Sequence, residues 1–186
     1  MDLTFQEHLQ QQRAFSESTF GPGQRSAGVI DHIRQELEEI EAEPGDVVEW
    51  VDIMLLSLDG TWRSGHDGDS AWAALQASQV LEKDLSSDPA LRALFRRTPL
   101  AEDGDAFNAL QLLRDRVDGL AADPSRLEAW VGVFAAAASG GLLAAGTPDR
   151  LYDAFLAKFH KNRSRVWPDW RTQSLDKRIE HDRSHD

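Results

Sequence analysis

At 186 residues the chain is long enough for one domain with a substantial core, and 41% hydrophobic with 28% charged residues is the balance of a soluble protein. A formal net charge of −12 excludes the broad excess of Lys and Arg that a nonspecific grip on nucleic-acid phosphates requires, so any basic patch must be local. The chain has no cysteine, which removes disulfides and thiolate metal sites. The start, "MDLTFQEHLQ", shows neither the cationic opening nor the apolar run of a signal peptide, so a cytoplasmic location is expected.

Alternating strand patterns are nearly missing, while apolar spacings of three and four recur, so the expected class is all-α. A first helix is expected near residues 2–19, a break at "FGPG", a second helix over about 25–43, and a third over about 46–64 after the turn "EPGD". Beyond Gly65, "DGDS", "SSDP", "AEDGD" and "ADPSR" each start another amphipathic helix, with no repeat evident, and "GTPDR" opens a last long helix near 148–165. The uncharged segment from Ala129 to Pro148 has the length of a membrane span. It is mostly Ala, Gly and Ser, with Ser139-Gly140-Gly141 in its middle, and reads as a buried helix and a turn whose small residues suit close helix contact. The polar tail after Pro168 is expected to be partly disordered or to pack on a partner.

At 100° per residue, Val29, Ile33, Leu37 and Ile40 form the apolar stripe of the second helix, with Glu36 at its edge and Glu39 beside it. The third helix carries Val47, Val51, Met54, Leu55, Leu58 and Trp62 on one stripe and Ile53 and Leu56 on the other side, so it should be largely buried. Glu49, Asp52, Asp59 and Arg63 share one narrow sector of it. Glu36, Glu39, Glu49 and Asp52 therefore form two i, i+3 pairs on adjacent antiparallel helices, whereas Glu38, Glu41 and Glu43 read as a solvated face. Like charges set among apolar residues need a cation, a protonation shift or basic partners. All-oxygen ligands favour a hard ion, Mg²⁺ or Mn²⁺. On the last helix Lys158, Lys161, Asn162 and Arg165 fall on one side and Arg163 points away, which suits phosphate as well as a helix C-terminus.

These residues carry a resemblance. "ELEE" at 36–39 and "EWVD" at 49–52 resemble the ExxE and ExxD motifs of the MazG-like all-α nucleoside triphosphate pyrophosphohydrolases. Residues 19–65 and "KFHKNRSRVWPDWR" at 158–171 are similar to the dATP/dGTP diphosphohydrolase branch called MazZ. The resemblance implies a MazG-like helical bundle over residues 1–186. It also implies cleavage between the α and β phosphates of purine deoxynucleoside triphosphates, and Mg²⁺ held by Glu36, Glu39, Glu49 and Asp52. In some phages the branch serves to replace adenine by 2-aminoadenine in DNA. It further implies a homo-oligomer, dimer or tetramer, whose neighbours complete the site; from charge and composition, no direct nucleic-acid binding and no membrane binding are expected. Lys158 and Arg165 would stabilise charge on the leaving pyrophosphate, with Asn162 and Lys161 beside them.

Some features stay open at this level. His32, one turn before Glu36, is a partner of the acids or a surface histidine, and Phe15, Phe20 and Trp62 are stacking surfaces for a base or core residues. "HDGD" at 66–69 lacks the rest of a calcium loop and reads as a helix start, and His181 and His185 lack a third ligand. The sequence departs from the branch by about 80 residues, 66–146, where a short connection is usual. Every motif residue lies outside that stretch, so it is expected to be a helical lobe inserted on the core and not needed for chemistry. The competing reading is a noncatalytic acidic helical interaction module, which requires carboxylates spread over an exposed surface.

Overall fold

The computed structural model of the protein describes residues 3–78, 90–99 and 105–180. Among these residues eight α-helices run in the order α1 Phe5–Phe20, α2 Ser26–Ala42, α3 Val47–Arg63, α4 Gly68–Ala77, α5 Leu91–Arg96, α6 Ala106–Ala122, α7 Leu127–Ala145 and α8 Pro148–Ser164, followed by a 3₁₀ turn at Trp170–Thr172. Among the described residues there is no sheet, only an isolated bridge between Thr4 and Ala90. The all-α, MazG-like expectation holds, and the first three helices fall within a few residues of their expected limits.

Side chains that satisfy the free N–H groups of a first turn set most of the boundaries. Thr4 and Glu7 form a reciprocal capping box on α1, and Asp46, Asp67 and Asp105 cap α3, α4 and α6. "HDGD" is thus a helix start. Thr147 caps α8 and Pro148 occupies its first turn, where a missing N–H costs nothing. "SSDP", His181 and His185 lie outside the described residues.

The core is built around α3, whose Trp50, Val51, Ile53, Met54 and Leu58 are almost wholly removed from water. It packs on α2, on α8 and, most extensively, on α7. α7 has the length and composition of a membrane span, but most of it is buried inside the protein. It continues through Ser139-Gly140-Gly141 because small residues are what the contact needs: a Cβ at Gly140 would lie 2.1 Å from the Trp50 ring. Gly60 of α3 answers it, since a Cβ there would lie 2.1 Å from the ring of Trp130 on α7. Within the stretch 66–146, α7 thus packs directly on α3 at the centre of the bundle.

The tail also departs from expectation. Residues 170–180 fold back on α2 of the same chain: Lys177 Nζ lies 3.3 Å from Asp31 Oδ1, the Arg178 N–H donates to Asp31 Oδ2, and Ile179 is buried. Gly28 makes room, because a Cβ there would meet the backbone oxygens of Lys177 at 2.9 Å and Leu175 at 3.0 Å.

Candidate active site

The turn Glu43–Asp46 reverses the chain so that α2 and α3 run antiparallel, which brings their acidic positions face to face. Carboxylate oxygens of Glu36, Glu49 and Asp52 lie within 4.8 Å of one another. Glu36 is 7% exposed, on the same stripe as Ile33 and Ile40, so its charge cannot be carried by bulk water. Glu39 stands beside this trio and adds to the repulsion on Glu36 and Glu49, while its own carboxylate accepts from Gln35 Nε2 at 2.9 Å. Of the four expected acids, three converge and the fourth flanks them. Glu38, Glu41 and Glu43 are exposed, as expected for a solvated face, and Glu41 pairs with Arg114.

Burial raises the pKa of Glu36 and pushes Glu49 and Asp52 up to about 7, and the neighbouring acids add to this at Glu49 and Asp52. The side chains of Glu36 and Glu49 act directly on each other, which favours the proton on Glu49 over Glu36. One cation and one imidazole face the acids. Lys158 Nζ of α8 reaches Asp52 Oδ2 at 2.5 Å, and His32 Nε2 reaches Glu36 Oε1 at 2.8 Å. His32 is therefore a partner of the acids, although burial lowers its pKa and favours the neutral ring. Three oxygen donors crowded with raised pKa values are the donor set of a hard divalent cation, so the residues fit a metal of that kind.

Beyond Asp52 and His32 the site opens into a pocket walled by Phe15, Phe20, Phe159 and Trp167, with Gln12, Asn162 and Arg178 on its polar side. Phe20 meets Trp167 edge to face at 4.7 Å. Asn162 is held in place, its side-chain oxygen accepting from Arg165 Nη1 at 3.0 Å and its backbone oxygen from Trp167 Nε1 at 2.8 Å. Lys161 is exposed on the outer part of the same helix face, and Arg163 points away over Phe159. Of the three aromatic candidates, Phe15 and Phe20 line the pocket. Trp62 does not: its Nε1 donates to Asp59.

Asp59 and Arg63, placed by the wheel in the sector of Asp52, form a separate structural pair at 2.6 Å. Arg63 also donates to Ser16 and to the backbone oxygens of Gly21 and Gly23, which fixes the break between α1 and α2 at the pocket rim. Sequence reasoning missed Arg178, whose charge reaches His32 and Glu36 from the folded tail. Its only sequence signal is Gly28, a glycine inside a helix that marks a close backbone approach.

An all-helical bundle with carboxylates paired across two antiparallel helices and a lysine on a third has the parts of a nucleoside triphosphate pyrophosphohydrolase. The chain matches the family model described as dATP/dGTP pyrophosphohydrolase over residues 9–106 and 103–186, and it belongs to that family. No curated protein and no solved structure matches it. An enzyme is thus identified in place of the acidic interaction module, whose exposed carboxylates Glu36 is not.

Proposed function

We propose that the enzyme hydrolyses purine deoxynucleoside triphosphates, dATP and dGTP, to the monophosphate and pyrophosphate with Mg²⁺, or Mn²⁺ in its place. The observation that carries this reading is the convergence of Glu36, Glu49 and Asp52, with Lys158 against them, at the mouth of an aromatic pocket. The family's printed description supports the purine deoxynucleotides, and the aromatic walls supply flat surfaces for a base.

Glu36, Glu49 and Asp52, with Glu39 beside them, would hold the metal. When bound, it neutralises phosphate oxygens and acidifies a water. The chain's own residues do the rest. Phe20 and Trp167 hold the base, so the triphosphate extends past Asn162 toward the acids. Lys158, whose ammonium stands against Asp52, would turn to the β and γ phosphates, where Arg165 and Lys161 add positive charge. Glu39, which flanks the other three, accepts the proton of the attacking water. His32 orients Glu36 through its Nε2.

Cleavage of a panel of deoxynucleoside and ribonucleoside triphosphates, with products separated by anion exchange, tests the reading. Monophosphate and pyrophosphate from dATP and dGTP, dependent on Mg²⁺ or Mn²⁺, are expected. Orthophosphate as first product, or full activity in excess chelator, overturns it.

A further inference from the structure

The two hairpins α2–α3 and α6–α7 match element for element. α2 begins at Ser26 and α6 at Ala106, α3 at Val47 and α7 at Leu127, a constant displacement of 80 residues. Their turns share one backbone path: Glu43 has φ −143° and ψ 75°, Asp123 has φ −147° and ψ 83°. The Glu43 N–H donates to the Glu39 oxygen, and the Asp123 N–H to the Gly119 oxygen. Trp50 Nε1 donates to the Pro44 oxygen at 3.0 Å, and Trp130 Nε1 to the Pro124 oxygen at 2.9 Å. Between the hairpins the contacts are reciprocal, Trp50 on Gly140 and Trp130 on Gly60. Contact of residue i with j answered by j with i is the mark of a self-complementary, twofold interface. Here both of its halves are in one chain.

The correspondence fails at the site residues, the metal positions above all and His32 with them, which becomes Leu112. Counting on by 80, Glu36 becomes Arg116, Glu39 becomes Gly119, Glu49 becomes Ala129 and Asp52 becomes Gly132. No carboxylate is kept. The Arg116 side chain lies over the place of the lost Asp52 equivalent, its Cδ 3.5 Å from where a Cβ on Gly132 would stand. A cation thus sits in the second hairpin where the first gathers anions. The residues that shape the interface are kept at the same spacing: Pro124, Trp130, Val131 and Gly140 for Pro44, Trp50, Val51 and Gly60.

We infer that α6–α7 is a metal-blind copy of the metal-bearing hairpin, supplying within the chain the packing partner that a second copy would otherwise supply, so that each chain holds one complete site. The inference rests on the proposed metal site at Glu36, Glu49 and Asp52. It replaces the expectation of neighbouring subunits that complete the site. Among the described residues α1, α2, α3, α8 and the tail line the pocket, and α7 packs on α3, where the reciprocal contacts of Trp50 and Trp130 lie.

Two measurements test it. In the first, Glu36→Gln and Lys158→Ala chains, each first measured alone for its residual activity, are unfolded together at equal amounts and refolded. If sites were assembled from two copies, mixed assemblies would regain up to about a quarter of wild-type activity through one undamaged site. No recovery is expected, and recovery overturns the inference. The second reads Mn²⁺ by electron paramagnetic resonance, independently of turnover. Bound Mn²⁺ should disappear in Glu36→Gln/Asp52→Asn. It should return when Arg116→Glu, Ala129→Glu and Gly132→Asp are added to that variant, with folding followed by circular dichroism. Persistence of Mn²⁺ on Glu36→Gln/Asp52→Asn places metal on α6–α7 and overturns the inference, as does a folded graft that stays metal-free. Wild type that binds Mn²⁺ as stated yet cleaves no nucleotide defeats the proposed function and leaves the metal-blind copy standing.

Discussion

Lys158 Nζ stands 2.5 Å from Asp52 Oδ2, yet the Asp52 pKa is raised to about 7: burial and the neighbouring Glu36 and Glu49 outweigh the ammonium beside it. A carboxylate that a lysine does not fully stabilise leaves room for a stronger cation, as the proposed metal site requires. Asp52→Asn should therefore lower cleavage by about two orders of magnitude or more, the scale on which removal of a transition-state charge contact acts, without loss of the fold. Lys158→Met should also lower kcat while leaving Mn²⁺ affinity unchanged or tighter, because the ammonium competes with metal for Asp52. Mn²⁺ titration beside steady-state kinetics checks both, and weaker Mn²⁺ binding in Lys158→Met would show that the lysine organises the acids instead of competing for them.

Glu49 supplies a stability test with a definite sign. Its folded pKa is about 7, above that of an unfolded carboxylate, so its contribution is fully present below about pH 4 and is lost as pH rises through 7. Metal-free wild type should lose stability across that window, and Glu49→Gln, which cannot ionise, should lose less. Discounted for partial solvent access, the difference at pH 8 is about 1 kcal/mol, or ~2–4 °C in Tm, in favour of the variant in chelator. Added Mg²⁺ should reverse the order by binding the native wild type more tightly. Melting curves at pH 5 and pH 8, with chelator and with Mg²⁺, read the four corners of this comparison.

His8 acts in the opposite direction. It is wholly buried against Phe155 and Phe159, its Nε2 lies 3.2 Å from Gln12 Oε1, and Gln12 in turn donates to the Leu55 oxygen. Burial lowers its pKa to about 4, and His160 opposes its charge as well. Neutral in both states above pH 6.5, it takes a proton first in the unfolded chain, so stability falls as pH drops from 6.5 toward 4, by at most about 3 kcal/mol. His8→Leu should cost about 1 kcal/mol at pH 7.5 through the lost hydrogen bond, and that cost should shrink or change sign at pH 4.5. Urea unfolding of both proteins at the two pH values measures it. A gap that does not depend on pH would mean that His8 titrates normally.

Much of the candidate site's geometry was legible because it depends on one helical period. Glu36 with Glu39, Glu49 with Asp52, and Lys158 with Asn162 and Arg165 each lie within one or two turns, and a single short turn sets α2 against α3. The Asp59–Arg63 pair is equally local, but a wheel cannot say that these two satisfy each other while Asp52 turns to Lys158, more than 100 residues away. The folded tail was hidden for the same reason, since its order comes from contacts of Lys177, Arg178 and Ile179 with α2 and the pocket and not from its own polar composition. The likeness of the two hairpins was hidden because the kept residues are few and mostly apolar, whereas the acids that make the first hairpin conspicuous are the ones the second has lost.

The reciprocal glycines set the last prediction. At Gly60 and Gly140 an added Cβ would stand 2.1 Å from a fully buried indole, so either the ring leaves its well or α3 and α7 move apart. Neither ring can turn freely, because Trp50 Nε1 and Trp130 Nε1 are each bonded to a backbone oxygen six residues back. Gly60→Ala and Gly140→Ala should each cost about 1–3 kcal/mol or more, against the small gain that alanine brings to an open helix position. Gly119→Ala on α6 is the control: nothing lies within 4 Å of its Cβ, and the variant should gain up to about 1 kcal/mol. If α6–α7 were a dispensable insertion, Gly140→Ala would loosen that lobe and leave the rest intact. As half of the bundle, it should lower the single melting transition of the whole chain, and replacement of residues 67–145 by a linker should yield no folded protein, because Trp50 and Val51 would lose the face they are buried against. Calorimetry on Gly60→Ala, Gly140→Ala and Gly119→Ala decides between these outcomes: two separate transitions, or a folded and active deletion variant, would show α6–α7 to be an accessory lobe.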